Sequence, residues 1–145
     1  MPNEGYNVAT DQNDHWRTPA WLFKALDMEF AFECDAACDA TNQLCEHSGI
    51  GNIDEMGATL WDRYFCNPPY SNIEPFVDAA LANPSTLWAF ILPVRTRSAW
   101  FERLRNSPRV EFRWLRKRIA FDPPPGVEPS SPRMDTFIAI VRPIA

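Results

Sequence analysis

Tyr64-Phe65-Cys66-Asn67-Pro68-Pro69-Tyr70 is the stretch on which the reading of this chain turns. Three residues of strand-forming type run into two prolines, so a buried strand ends abruptly at Asn67. Pro68 has no N–H, and Pro69 holds Pro68 in an extended backbone. The Pro68 carbonyl is thereby turned away from a sheet ladder. Asn67 places a side-chain amide oxygen beside it. Two neutral acceptors side by side suit an –NH2 group, which has two hydrogens to donate. Tyr70 adds a flat face for a planar ring. An exocyclic amine on an aromatic base matches all three features. Pro-Pro after a strand also serves as a plain strand terminator, but that role gives no reason for Asn67 and Tyr70.

Outward from this motif, strand and helix patterns alternate. Ser71-Asn72-Ile73-Glu74 reads as a capping box, followed by Phe76, Val77, Ala80 and Leu81 on one helical face. Leu87 to Pro93 is continuously apolar, as expected of a central parallel strand covered on both faces. Ser98 caps a short helix carrying Trp100, Phe101 and Leu104. Val110, Phe112 and Trp114 alternate with Glu111 and Arg113 as a half-buried strand. Phe137 to Val141 is a closing strand, reached through a proline-rich loop at 122–133. Towards the N-terminus, Thr18 is the expected N-cap and Pro19 the first residue of a helix. Phe30 to Ala36 reads as a strand ending on Asp35. Residues 1–15 read as a flexible arm and 16–145 as one domain. The order predicts an α/β fold with a mainly parallel central sheet and flanking helices. Ligands bind at the carboxyl ends of such strands, where Asp35 and Asn67 to Tyr70 fall.

The chain has 145 residues, enough for one domain. Its composition, 46% hydrophobic and 23% charged, excludes a disordered chain, a coiled coil and a collagen-like fibre. The longest apolar run, Leu87 to Val94, falls well short of the ~20 residues of a membrane span. The first residues lack the apolar core of a signal peptide, so we expect no membrane partner and a cytoplasmic location. Fourteen prolines against five glycines argue against a glycine-rich nucleotide-binding turn in its usual form. The net charge of −5 is uneven: residues 1–94 carry 3 basic and 14 acidic side chains, whereas residues 95–118 carry 9 basic and 2 acidic. So basic a segment in an acidic protein points to a polyanion. Arg95, Arg97, Arg116, Lys117 and Arg118 are the candidates for phosphate contact; the alternative for each is a solvated face or an ion pair. Cys34, Cys38, Cys45 and Cys66 read as free thiols. Cys34, Cys38, Cys45 and His47 lack the paired spacing of a structural zinc site. Cys34 lies in an apolar run and reads as a small buried hydrophobe, so no metal is expected.

Asn-Pro-Pro-Tyr resembles the catalytic motif of S-adenosylmethionine-dependent amino methyltransferases. From about Asp14 to Val141 the chain is similar to the phage and prophage DNA N6-adenine methyltransferase (Dam) family. The likeness includes His15-Trp16-Arg17-Thr18-Pro19, Cys34-Asp35-Ala36-Ala37, Asn42 with Cys45, Asp54, Trp61, Ser71-Asn72, Leu92-Pro93-Val94-Arg95-Thr96, Trp100-Phe101 and the stretch 112–121. The resemblance implies a Rossmann-like fold, S-adenosylmethionine as methyl donor, and duplex DNA with a flipped-out adenine as substrate in the host cell. It implies catalytic roles for Asn67, Pro68, Pro69 and Tyr70, and cofactor contacts from Trp16, Thr18, Pro19, Asp35 and Asp54. The chain departs from many such enzymes at 35–40, where no glycine occurs. Only 31 residues separate Asp35 from Asn67, which implies a reduced version of the fold. So small a chain has little surface for base readout, which implies a homodimer or relaxed specificity. Competing readings are methylation of an RNA base or a glutamine side chain, and a non-catalytic nucleic-acid-binding module. The last accounts for the basic segment but not for Asn67 to Tyr70.

Overall fold

The computed structural model describes residues 16–37, 45, 47–48, 61–123, 126–128 and 134–144. Residues 1–15, and with them the expected arm, lie outside the described residues, as do Cys38, Asn42 and Asp54. In chain order the described elements are α1 (Ala20–Phe30), β1 (Cys34–Asp35), β2 (His47–Ser48), β3 (Arg63–Cys66), α2 (Glu74–Ala82), β4 (Leu87–Pro93), α3 (Ala99–Arg105), β5 (Val110–Trp114) and β6 (Thr136–Val141). The strands form one six-stranded sheet in the order β2-β1-β3-β4-β6-β5.

The sheet is mixed, not mainly parallel as expected. β2, β1, β3 and β4 pair in parallel, and β6 is antiparallel to both β4 and β5. The β4–β6 ladder runs from Trp88–Val141 to Pro93–Thr136, longer than the longest parallel ladder, Arg63–Leu87 to Cys66–Phe90. An unbroken apolar run reports burial on both faces but says nothing of strand direction. β4 is indeed buried on both faces, with a parallel neighbour on one side and an antiparallel one on the other. Every residue of β6 is buried, so it too is a central strand rather than an edge.

Side-chain alternation divides the core between the two faces of the sheet. Tyr64, Cys66, Trp88, Phe90, Leu92, Phe137, Ala139 and Val141 face α2 and α3, meeting Phe76, Val77, Ala80, Trp100, Phe101 and Leu104. Phe65, Ala89, Ile91, Ile138 and Ile140 face the other way, onto Leu22, Leu26 and Phe30 of α1 and onto Ile119. Tyr64 stacks on Trp88 with ring centroids 4.4 Å apart. Cys34 is fully buried in the first of these cores. Burial first, then the charges of Asp35 and Glu33, push its thiol up to about 12.

The expected strand at 30–36 is shorter in the structure. α1 runs on to Phe30, which the core beneath it claims. Ala31 then takes a left-handed conformation (φ 53°) and donates its N–H to the Asp27 carbonyl. Asp27 Oδ1 accepts the Phe32 N–H at 2.9 Å, which completes the stop. Only Cys34 and Asp35 are left to pair. The expected caps also shift. Pro19, not Thr18, occupies the N-cap of α1, with no side-chain cap bond. Ile73 occupies the N-cap of α2, again with no side-chain cap bond, and the Asn72 N–H closes a turn onto the Pro69 carbonyl instead. Ser98 does stand at the N-cap of α3, but its hydroxyl donates back to the Arg95 carbonyl at 2.7 Å.

The directions place the site. β5 is antiparallel to β6 and β6 to β4, so β5 runs with β4 and Trp114 ends level with Leu92. Asp35, Cys66, Pro93 and Trp114 therefore end at one edge of the sheet. The chain steps outward from β1 to β2, then returns past β1 to β3. The carboxyl ends of β1 and β3 thus flank the point where the strand order reverses, where open sheets of this kind take up ligands.

Candidate active site

Asn67 to Tyr70 leave β3 at that edge. Asn67 is half-buried and Pro68 is buried. Asn67 Nδ2 donates to the Thr18 hydroxyl at 2.9 Å, across 49 residues of sequence. The donor end of the amide is therefore taken, and Oδ1 is left on the side away from Thr18. Among the described residues no hydrogen bond claims the Pro68 carbonyl, while the Pro69 carbonyl is taken by the turn to Asn72. Two acceptors, on consecutive residues, thus follow the end of β3.

Tyr70 is held on several sides. Its hydroxyl donates to the Ile91 carbonyl at 3.3 Å, and burial raises its phenol pKa well above the ordinary value. Phe121 meets its ring edge-on, with centroids 6.3 Å apart and planes at 89°. Arg95 Nη1 donates to the Tyr70 carbonyl at 2.8 Å, and its guanidinium lies 5.8 Å from the ring centroid. Arg95, a phosphate candidate from its sequence position, is here bonded to the motif itself. Its place directly after β4 is the only sequence signal for this. Nothing local in the sequence marks the contact of Phe121 with Tyr70.

Two further segments close around the motif. Arg17 exchanges both backbone hydrogen bonds with Asp122, at 2.7 and 2.9 Å. This ties the entry to α1 against the start of the proline-rich loop. Thr18 and Pro19 are buried in that entry, and Trp16 is half-buried. Asp35 is 3% exposed at the end of β1, and its Oδ1 accepts the Ala37 N–H at 3.4 Å. The Ala36 N–H bonds the Phe65 carbonyl, so Asp35 sits beside β3 just before Asn67. Of the candidate residues, Thr18, Pro19, Asp35 and Asn67 to Tyr70 come together at one strand edge.

The basic segment is dispersed rather than continuous. Arg103 pairs with Glu74 and Asp78, at 3.1 and 2.9 Å. Arg113 pairs with Glu29 and Glu111, each at 2.7 Å. Hydrogen bonds from Arg113 and Arg142 hold the Glu111 carboxyl down to about 2. The Arg109 guanidinium donates to backbone carbonyls. Arg118 Nε donates to Asp135 Oδ1 at 2.9 Å. Arg97, Arg116 and Lys117 are exposed, with no acid partner among the described residues. All three follow strands that end at the site edge.

Three comparisons bear on this geometry. The family model for DNA N-6-adenine-methyltransferase (Dam) matches residues 5–141. A DNA N-6-adenine-methyltransferase of Haemophilus phage HP1 (strain HP1c1) is 26% identical over 113 residues, covering 73% of this chain and 65% of that protein. The chain thus spans less than two thirds of that relative's length. No solved structure matches. No helix among the described residues is long and apolar enough to cross a membrane.

Proposed function

The chain belongs to the DNA N-6-adenine-methyltransferase (Dam) family, and from that premise we propose that it transfers a methyl group from S-adenosylmethionine to N6 of adenine in DNA. The observation that carries this reading is the pair of acceptors at the end of β3. Asn67 Oδ1 and the Pro68 carbonyl accept the two N6 hydrogens, and Pro69 keeps the second of these acceptors turned outward. As N6 attacks, it gains positive charge, and two fixed oxygens lower the energy of that charge. The adenine ring stacks on Tyr70, whose plane is set by Ile91 and Phe121. N6 of a paired base is not open to in-line attack, so the adenine leaves the duplex first. The excess proton passes from N6 to solvent, and no covalent enzyme intermediate is needed.

The cofactor crevice lies between the carboxyl ends of β1 and β3. The donor set there fits the cofactor. A buried carboxylate, Asp35, ends β1 there and is followed by the small side chains of Ala36 and Ala37. Asp35 suits a cationic or hydroxyl-bearing partner, and Trp16 and Pro19 border the crevice on the other side, with the Thr18 hydroxyl between them turned to Asn67. Asp54 completes the set implied by the family resemblance. When bound, S-adenosylmethionine supplies an electrophilic methyl on a sulfonium. The reversal of strand order at β1 supports a reduced Rossmann-like sheet, in which a tight strand-to-loop turn at Asp35 replaces a glycine-rich one.

The test is transfer of labelled methyl from S-adenosylmethionine to unmethylated duplex DNA, digested to nucleosides and resolved by mass. N6-methyladenine is the expected product. Cofactor binding without transfer to DNA moves the substrate to RNA or protein, and the absence of both cofactor binding and transfer overturns the enzyme reading.

Arg97, Arg116 and Lys117 contact DNA phosphates in this proposal. Arg95 and Arg118 join them at the same edge, although the first also bonds Tyr70 and the second Asp135. Arg116→Ala combined with Lys117→Ala is expected to weaken DNA binding and to lower the slope of log K against log salt by roughly 0.9 per lost contact. Fluorescence anisotropy over a salt series reads this directly, and an unchanged slope removes both side chains from the interface.

A further inference from the structure

We infer that Thr18 is a positioning residue for methyl transfer, its buried hydroxyl holding the Asn67 side-chain amide so that Oδ1 faces the substrate amine. This rests on the adenine-N6 reading of the Asn67 to Tyr70 motif. A primary amide has one accepting end and one donating end. Only the accepting end serves an amine that brings two hydrogens. If the amide is turned over, its own hydrogens meet those of N6 and one acceptor is lost. The torsion that turns an asparagine amide is broad, so its rotamer alone does not set the plane. A fixed partner does: Thr18 Oγ1 accepts from Nδ2 at 2.9 Å, and because the substrate amine brings only hydrogens to the far side, this is the orientation that satisfies both ends of the amide.

Thr18 is itself firmly placed. On one side Arg17 exchanges both backbone hydrogen bonds with Asp122. On the other, Pro19 is buried and its carbonyl accepts the N–H groups of Leu22 and Phe23, at 3.1 and 3.2 Å. The Thr18 side chain is 49 residues from Asn67 in sequence, yet α1 makes no use of its oxygen as a cap. A threonine at a helix entry ordinarily turns its hydroxyl to the helix N–H groups. Here the hydroxyl is given to Asn67 instead.

The test compares wild type, Thr18→Ser and Thr18→Val by steady-state methyl transfer to DNA, with S-adenosylhomocysteine binding by calorimetry and melting temperature for each. Thr18→Val is expected to lower kcat by roughly ten- to a hundredfold, the range set by a small misplacement of a reacting group. KM for DNA and the Kd for S-adenosylhomocysteine are expected within about twofold of wild type, and Thr18→Ser is expected to retain most of kcat. In an Asn67→Asp background, whatever its own rate, the Thr18→Val loss is expected to shrink to less than about threefold, because a carboxylate accepts at either oxygen. Thr18→Ala removes the same hydroxyl and stands in where Thr18→Val does not fold. Wild-type kcat in the variant lacking the hydroxyl overturns the inference. So does weakened S-adenosylhomocysteine binding at unchanged saturating kcat, which makes Thr18 a cofactor contact. An equal loss in both backgrounds overturns it as well. A wild-type chain inactive on DNA fails the adenine reading itself, before any Thr18 variant is compared.

Discussion

Asn67→Ala is expected to lower methyl transfer to DNA by at least about 10²- to 10³-fold while S-adenosylhomocysteine binds as before. The magnitude is that of removing one fixed hydrogen-bonding group from a developing charge, about 3–4 kcal/mol. The side-chain nitrogen is bonded to Thr18 at 2.9 Å, and in the proposed reaction the oxygen accepts from N6. Truncation removes both ends at once. The Pro68 carbonyl remains and holds one N6 hydrogen, but the second is left without a partner and the amine is free to turn away from the line of attack. Folding has little at stake in this substitution. Asn67 is only half-buried, the strand before it ends at Cys66, and the two prolines that shape the turn are untouched. Cofactor binding is the internal control, since Asp35, the carboxylate proposed to hold the cofactor, lies on the neighbouring strand. Single-turnover transfer with saturating cofactor checks the prediction. Undiminished turnover would show that the amine is held elsewhere, and the acceptor pair at the end of β3 would lose its role.

How much of this is legible in the sequence depends on how far apart the interacting residues lie. β4 begins and ends where its apolar run does, and Phe76, Val77, Ala80, Trp100, Phe101 and Leu104 are buried as their helical spacing predicts. Those are local patterns, decided within a few residues. The motif was legible for the same reason, because Asn67, Pro68, Pro69 and Tyr70 are consecutive. The insertion of β6 between β4 and β5 is a pairing choice, and an apolar strand carries no mark of which partner it takes. The helix of Ala20–Phe30 overran the expected strand because Phe30 packs with Leu22 and Leu26 under Phe65, a contact known only once the sheet is built. Thr18 does not cap α1, since its hydroxyl meets Asn67, just past the end of β3 and 49 residues away. The arginines are the sharpest case. Composition made residues 95–118 one basic segment, yet Arg113 reaches back 84 residues to Glu29. Arg103 turns to α2 through Glu74 and Asp78. Charge counted along the chain does not distinguish a side chain aimed at a phosphate from one aimed at a carbonyl.

Arg109 is the arginine in this segment with the largest consequence for folding. It lies at the opposite edge of the sheet from the site, where β4 and β5 begin and β6 ends. Its guanidinium donates to the carbonyls of Ala80 and Leu81 at 3.3 and 3.2 Å, and to those of Asn83 and Thr86 at 2.8 and 3.1 Å. Nε donates to the Arg142 carbonyl at 2.7 Å. The end of α2, the turn into β4 and the exit of β6 are thus joined by one side chain. The helix end presents carbonyls without helical partners and a partial negative charge, both of which a cation satisfies. Burial lowers the Arg109 pKa below its ordinary value, in keeping with a group partly withdrawn from water. Arg109→Ala leaves several of those carbonyls to water or to nothing, and is expected to cost about 2–4 kcal/mol of unfolding free energy. That is a large share of the roughly 5–15 kcal/mol that holds a domain of this size. Arg109→Lys keeps the charge but not the planar fork, so it reaches one or two carbonyls and is expected to recover less than half of the loss. Urea unfolding with an unchanged m-value measures both. Because the residue stands away from Asn67, kcat of the folded fraction at low temperature is expected to stay at the wild-type level. An unshifted urea midpoint would mean that solvent replaces the guanidinium at all five carbonyls. A fall in kcat without a fall in stability would instead show that this edge of the sheet communicates with the one where Asn67 sits.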